Sequence, residues 1–388
     1  MIVIGVVVCA LAACLCVLVY LARLVVMEPG RHHLCTYRVG QSGRTVIFKG
    51  EPATQMPGEY GLWFSPPVEG GAHARIGKVV WASSDGQTVE REVIKVTGGD
   101  LAEHRKGLWT GHVFSGPDDL NLPFVNVELG EGNAPLPCWV FDSPLPGQTK
   151  HWMVHVHGIR TTRLTTLRNV ALASSLGFAS IVPSFRSDDD NRAGRRRAST
   201  LGRAEWPDVD RAIDYAREHG AANIILFGLS LGGMISLLLA RRSRNVHLIR
   251  ALVLIGPVTD FAETIIYGAA QLRLPSWVGR LAMAPLRAPL LHRLAGLSER
   301  INFPELSVNG APGEIAIPTL VIHSPIDDEV PHQQSLTLAA SNPACVTLDS
   351  SLRSLHTCEW NVDPRRFESI VTAWLDAHQL SVADLDAQ

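Results

Sequence analysis

The run Gly228-Leu229-Ser230-Leu231-Gly232 places one serine between two glycines, where the apolar stretch "NIILFG" gives way at once to the helical stretch "LGGMISLLLARR". A serine hydroxyl is a weak nucleophile and does covalent chemistry only beside a base, itself oriented by an acid. G-x-S-x-G between a strand and an immediate helix is the pattern of a nucleophile elbow. Glycines let neighbouring backbone pass close to the turn. A helix starting after Ser230 aims its free N–H groups and positive dipole end at any developing negative charge. The chemistry that suits such a serine is acyl transfer. The pentapeptide alone would also fit a small residue filling a tight turn; the strand before it and the helix after it select the nucleophile.

The partners of an elbow serine follow it in the order acid, then histidine. "IPTLVIHSPIDDEVP" reads as a strand to His323 and a loop carrying Asp327, Asp328 and Glu329, any of which could be the acid. "CVTLDSSLRSLHTCEWN" places His356 on a loop after the last strand, as the base. An oxyanion hole needs two N–H donors: Leu231, next to the nucleophile, and Ile159, which follows Gly158 in "MVHVHGIRTTR". Losing one such donor typically costs about 100- to 1000-fold in turnover. His155 and His157 form H-x-H, but no further ligand follows at metal spacing, so no metal is expected. Cys358, two residues past His356, carries no mark of a nucleophile. Glu205, Trp206 and Asp208 open a helix, where acidic residues suit the dipole and helix capping is their expected role.

These residues need a scaffold. From about Gly40 to Asp142 the chain reads as short strands between Gly/Pro turns, among them "ARIGKVVWAS", "TVEREVIKV", "FVNVEL" and "CWVFD". From Met153 onward, apolar strands alternate with amphipathic helices, which predicts an α/β fold with a mainly parallel sheet covered on both faces. Ligands of such sheets sit beyond the carboxyl ends of the strands, where Ser230 falls. The span 260–315, rich in apolar residues such as Leu272, Trp277, Leu281, Met283, Leu286, Leu290, Leu291 and Leu294 and broken by Pro275, Pro285 and Pro289, reads as a short helical cap. Over the site it would suit an apolar acyl chain, although apolar residues at helical spacing are more often the mark of core than of a substrate wall.

From about Phe124 to the end, "HG" before the first crossover helix, "GLSLGG", "PTLVIHSPIDDEVP" and "HTCEWN" stand in an order that resembles the α/β-hydrolase superfamily. The family's acid loop is close to H-G-x-x-D-x-x-V-P. Aligned on His323 and Val330-Pro331, it selects Asp327, with Asp328 as the alternative; Ser324 replaces the usual Gly. More narrowly, "SFRSDDDN", "LGRAEWPDVDRAIDYA" and "HTCEWNVDP" are similar to bacterial hydrolases related to serine aminopeptidases and monoacylglycerol lipases. The resemblance implies hydrolysis of an ester, thioester or amide without a cofactor. His356 would take the proton of Ser230 and return it to the leaving group, with Asp327 orienting the ring. The expected substrate is a small-molecule or lipid-like carboxylic ester. The alternatives are a serine peptidase or amidase of the aminopeptidase-like type, and an inert hydrolase-fold binding protein.

The chain has 388 residues, 46% of them hydrophobic, and a net charge of −2, which gives no support for nucleic-acid binding. The basic run at 192–197, after the acidic Asp188 to Asp190, reads as a solvated loop. Seven cysteines show neither a CxxC pair nor a disulfide framework. Met1 to Ala22 holds no charged side chain. As a helix it would cover about 33 Å, enough for a hydrocarbon core of about 30 Å. A cleavable signal should have a basic start and a shorter apolar run, and "LAAC" at Leu11 to Cys14 lacks the basic flank of a lipoprotein box. A retained single-pass anchor is therefore expected. Arg23, Arg31 and Arg38 after the span place the hydrolase part in the cytoplasm. The expected division is an anchor at 1–27, a β-rich segment at 28–120, and an α/β-hydrolase domain at 121–388.

Overall fold

The computed structural model describes residues 2–27, 33–65, 68–130, 135–145, 150–188, 198–308 and 315–387. The basic run at 192–197 and Arg31 lie outside the described residues.

The first strands are β1 (His33–Val39), β2 (Thr45–Lys49), β3 (Tyr60–Trp63), β4 (His73–Ala82), β5 (Thr88–Thr97) and β6 (Lys106–Thr110). They form a closed barrel in the order β1-β2-β5-β4-β3-β6, all pairs antiparallel. Alternation turns Val46, Phe48, Ile76 and Val89 into its core. Arg91 is buried there as well. Its guanidinium donates to the carbonyls of Gly77, Thr54, Met56 and Gly58 and lies against the rings of Tyr60 and Trp109. Burial lowers its pKa to about 10, so it keeps its charge at neutral pH. "FVNVEL" and "CWVFD" do not belong with these strands. They form β7 (Phe124–Glu128) and β8 (Pro137–Phe141), which open a second sheet.

That sheet continues with β9 (His151–Val156), β10 (Ala179–Pro183), β11 (Asn223–Leu229), β12 (Ile249–Ile255), β13 (Thr319–Ile322) and β14 (Val346–Asp349). Its order is β14-β13-β12-β11-β9-β10-β8-β7. The six strands from β14 to β10 pair in parallel, and β8 and β7 are antiparallel. Side chains of β11 alternate between two apolar layers. Ile224 and Leu226 meet Val209, Ile213, Ile235 and Leu238 of the helices Trp206–Glu218 and Leu231–Arg242. Ile225 and Phe227 meet Leu172 of Leu167–Ser175 and Phe367 and Val371 of Pro364–Ala377. Burial on both faces explains why these strands are unbroken apolar runs.

Between β12 and β13 lie the helices Phe261–Gln271, Ser276–Arg287 and Leu291–Leu294. The N-terminal apolar helix, Ile2–Val26, packs its last turns on Ser276–Arg287. Ala22 and Val26 are buried in the main core, and Ser199 N donates to Val26 O at 2.9 Å. Residues 9–17 are exposed.

Glu205 and Asp208 do not cap their helix. The Glu205 carboxylate is fully buried and accepts from Ser199 Oγ, Thr200 N and Oγ1, and Gly202 N, so it organises the loop before the helix. Asp208 instead takes a bidentate ion pair from Arg186 and that residue's N–H. Buried carboxylates take the strongest donors within reach, and here those lie outside the helix.

Candidate active site

Ser230 stands alone between β11 and the helix Leu231–Arg242, with φ 55° and ψ −113°. A non-glycine residue held there costs about 1–3 kcal/mol, a strain typical of functional turns. Its surroundings enforce the turn. A Cβ on Gly228 would lie 2.4 Å from Gly232 O, and one on Gly232 would lie 2.1 Å from Val156 O. Ser230 N donates to Ile255 O at 3.0 Å, and Ser230 O accepts from Gly233 N at 2.9 Å and Val258 N at 3.2 Å. The hydroxyl is left to point at a partner.

That partner is His356, on the loop after β14. Its Nε2 lies 2.8 Å from Ser230 Oγ, and its Nδ1 lies 2.7 Å from Asp327 Oδ2. The structure sorts the adjacent carboxylates that the acid loop left open. Asp327 faces the imidazole, whereas Asp328 Oδ1 accepts from the backbone N of His356 at 3.1 Å. Asp327 Oδ1 accepts from Glu329 N and Val330 N, both at 2.8 Å. His323 Nε2 stands 3.2 Å from Asp327 Oδ2, and Tyr267 donates to Asp327 O at 2.8 Å. Burial would raise the Asp327 carboxyl, but the attraction of His356 and the bonds from His323 and His356 hold it well below the carboxylate range. Burial pulls the other way on the His356 ring, but Asp327 outweighs it and raises the ring above the ordinary histidine value.

Leu231 heads its helix, so its N–H has no carbonyl four residues back within it. Gly158 passes the serine closely: a Cβ there would lie 3.3 Å from Ser230 Cβ. Ile159 follows, and it lines both cavities that reach Ser230. His157 holds this turn through Nδ1 to Gly158 O and Nε2 to Asp188 Oδ2, both 2.9 Å, with its ring stacked on Phe185. His155 bonds Ser180 Oγ at 3.0 Å. Both rings of H-x-H are thus engaged within the fold, and among the described residues no group of three or more His, Cys, Asp or Glu converges as metal ligands would. Cys358 is a free thiol that burial pushes up to about 12, unsuited to nucleophilic attack at neutral pH.

Sequence reasoning passed over several residues that hold the site. His323, in the strand-end histidine position of the acid loop, reaches Asp327. Arg168 donates to Thr357 O and to Asn361 Oδ1, pinning the turn just after His356. The histidine of "VIHSPIDDEVP" and the stretch "HTCEWN" were the signals, but only the fold shows which side chains meet.

Two cavities meet at Ser230. One, about 360 Å³, is walled by Phe261, Ile265, Leu272 and Ala282 of the helices between β12 and β13 and by Leu21 and Val25 of the N-terminal helix. The other, about 300 Å³, lies between the main sheet's loops and the barrel, with His356, Tyr60 and Trp109 in its walls.

Comparison with known proteins gives this geometry a family. Residues 37–110, most of the barrel, match a family described as a domain of unknown function (DUF8805). Residues 153–377 match the alpha/beta hydrolase family. No curated protein sequence matches the chain. Among solved structures, an esterase from Pyrococcus furiosus resembles it in two crystal forms. One gives 20% identity and a TM-score of 0.51 over 67% of this chain and 93% of that one. The other gives 19% and 0.50 over 67% and 95%. A hydrolase from Pseudomonas aeruginosa PA01 shares 22% identity over 66% of this chain and 98% of its own, with a TM-score of 0.45. At these identities the likeness is one of fold, and the family match extends over more than half of the sequence. The chain belongs to the alpha/beta hydrolase family.

Proposed function

We propose that this chain is a membrane-anchored serine hydrolase that cleaves carboxylic esters with an apolar, lipid-like acyl chain through an acyl-enzyme on Ser230. The observation that carries the reading is the continuous relay Ser230–His356–Asp327, at 2.8 and 2.7 Å, opening onto an apolar cavity. His356 Nε2 takes the hydroxyl proton as Ser230 Oγ attacks the ester carbonyl. Asp327 keeps the other ring proton on Nδ1 and stabilises the imidazolium. The N–H groups of Leu231 and Ile159 receive the oxyanion. The tetrahedral intermediate collapses, the alcohol leaves with the proton from Nε2, and water repeats the sequence on the acyl-enzyme.

The chain so read divides into an anchor at 1–27, a β-rich unit at 28–120, and a hydrolase domain at 121–388 with its cap at 260–315. Retention of the first segment is supported by Leu21, Leu24 and Val25, which wall the acyl cavity and would be lost on cleavage. A bilayer near the cap is supported by its outer face. Trp277, Leu281, Leu290 and Leu294 are exposed there and do not line the cavity, and between Glu263 and Glu299 the sequence has Arg273, Arg280, Arg287 and Arg293 but no acidic residue. Apolar, aromatic and basic side chains on one surface suit an anionic membrane interface. Arg23 and Arg38 after the span favour a cytoplasmic hydrolase domain. Asp328 and Glu329, at the junction of the cavities, would also suit a substrate amine, which is what favours the amidase reading as second.

The test is a p-nitrophenyl ester series of rising chain length, run beside aminoacyl p-nitroanilides on the full chain in detergent, with Ser230→Ala as control. Each methylene entering the cavity should raise kcat/KM by up to about fourfold, from about 0.8 kcal/mol per buried CH2. Preference for the anilides would replace the ester reading by the amidase one, and no turnover of either would leave a binding protein. A C-terminal phosphatase fusion should be inactive; activity would reverse the orientation.

A further inference from the structure

We infer that the six-stranded barrel is the alcohol-binding half of the active site: it forms the wall of a pocket for a polar, hydroxyl-bearing leaving group. This rests on the ester-hydrolase reading of Ser230.

Ester cleavage divides its substrate in two, and the site offers two cavities that share Ser230, Ile159, Arg160, Asp328 and Glu329. They differ in what else they hold. His356 lines the barrel-side cavity and is not part of the apolar one. As the bond from the acyl carbon to the alcohol oxygen breaks, that oxygen takes the proton that His356 removed from Ser230. The alcohol must therefore depart on the side of His356 Nε2, which is the barrel side. The acyl group, now bonded to Ser230 Oγ, remains in the apolar cavity.

The barrel-side walls are built for a polar guest. Tyr60 and Trp109 stack at 5.0 Å between ring centroids, and Thr161, Thr165 and Arg168 face them across the cavity. Tyr60 is 3% exposed, yet among the described residues its hydroxyl has no hydrogen-bond partner; Arg168 is 3% exposed and its Nε has none among them either. Buried polar atoms are almost always satisfied, so an unpaired hydroxyl and an unpaired guanidinium nitrogen on two residues that line this cavity mark its wall as short of polar partners. The phenol stays protonated: burial keeps it far above neutrality. It can donate to a hydroxyl oxygen of the alcohol.

The barrel is held in place for this role. Asn361, five residues after His356, donates to Glu59 O at 2.7 Å and to Gly111 O at 3.0 Å, and Glu59 N donates to Asn361 O at 2.9 Å. Gly58, at φ +90°, lies so close that a Cβ would fall 1.8 Å from Asn361 O. The rim of the barrel and the loop of the catalytic histidine thus form one packed surface.

The test compares two octanoate esters, 2,3-dihydroxypropyl and propyl, on the full chain in detergent, and follows the ratio of their kcat/KM values. Wild type should favour the dihydroxypropyl ester. Tyr60→Phe should cut that ratio about three- to tenfold, the worth of one neutral hydrogen bond. It should not lower Tm, because the native phenol leaves a buried hydroxyl unpaired. Ala53→Leu, which narrows the same cavity from the barrel side, should penalise the larger alcohol in favour of methyl octanoate. Deacylation of an octanoyl-enzyme formed from p-nitrophenyl octanoate should match wild type in both variants, since the alcohol has gone by then. A dihydroxypropyl-to-propyl ratio within 1.5-fold of wild type in Tyr60→Phe, together with a propyl-to-methyl ratio within 1.5-fold of wild type in Ala53→Leu, overturns the inference, as does a matching loss in deacylation. An enzyme that turns over neither ester fails the ester reading instead.

Discussion

Replacing Asp327 by Asn should disable the enzyme through a proton in the wrong place, while the same change at Asp328 should not. Asp327 Oδ1 accepts from two backbone N–H groups, Glu329 and Val330, both at 2.8 Å. Those donors fix the orientation of an Asn side chain, because its NH2 group cannot face two N–H donors. The amide oxygen must take the Oδ1 position, and the amide nitrogen then lies where Oδ2 now sits 2.7 Å from His356 Nδ1. Donating to Nδ1, it forces the ring proton onto Nε2, the atom that must accept from Ser230. The neutral base is then the wrong tautomer, and the imidazolium loses its counter-charge. A change of this kind costs about 10⁴-fold in kcat, or about 5.4 kcal/mol of transition-state stabilisation. Asp328→Asn keeps an oxygen to accept from His356 N and should cost less than about tenfold, the worth of one weakened bond. The assay is kcat on a p-nitrophenyl ester at pH 8, with folding checked by Tm. If Asp327→Asn keeps a tenth of the activity, or Asp328→Asn loses as much as its neighbour, the relay is assigned to the wrong carboxylate.

Asp327 raises the His356 ring above the ordinary 6.5, and only the unprotonated ring can accept from Ser230. The rate should therefore climb with pH about a midpoint above 6.5, and a midpoint at or below it contradicts the coupling. Burial pulls His73 down to about 4 and His155 to about 3, so both are neutral when folded and take up protons on unfolding below pH 6.5. Stability should fall as pH drops from 6.5 toward those values, and His155→Gln should lessen the fall in Tm between pH 7 and 5; an unchanged slope would show that His155 is not a source. Gly158→Ala brings a methyl 3.3 Å from Ser230 Cβ. It should slow turnover about tenfold or more with little change in Tm, as expected when an oxyanion donor is displaced; full activity would mean that this backbone does not face the reacting carbonyl.

How much of this was legible depended on how local the signal was. The elbow is strand, turn and helix within one short stretch, so Ser230 could be placed from neighbours alone. Asp327 and Asp328 are adjacent and chemically equal; their residue types alone leave both open, the resemblance to the family's acid loop selects Asp327, and in the fold it is Asp327 that faces the His356 ring. The barrel's closure was invisible, because it is a pairing of His33 with Trp109 across the length of the segment, and period-two alternation does not reveal which strand a strand meets. The division at 120 put "FVNVEL" and "CWVFD" with the hydrolase domain, but the same limit left open which strands they pair with. Among the apolar residues of 260–315, Met283 and Leu286 are core, Leu272 lines the cavity and Trp277 is exposed. A helical period marks a face, not what covers it. Likewise, an uncharged N-terminal run reads the same whether it lies in lipid or, like its last residue Ala22, in a protein core.

The most direct measurement is labelling of the folded full-length chain with a fluorophosphonate, followed by intact mass and peptide mapping. The account predicts one adduct per chain on the Ser230 peptide, absent in Ser230→Ala and slowed at least 100-fold in His356→Ala. A folded wild-type chain that takes up no label, or carries it on another residue, would contradict the claim that Ser230 is an activated nucleophile.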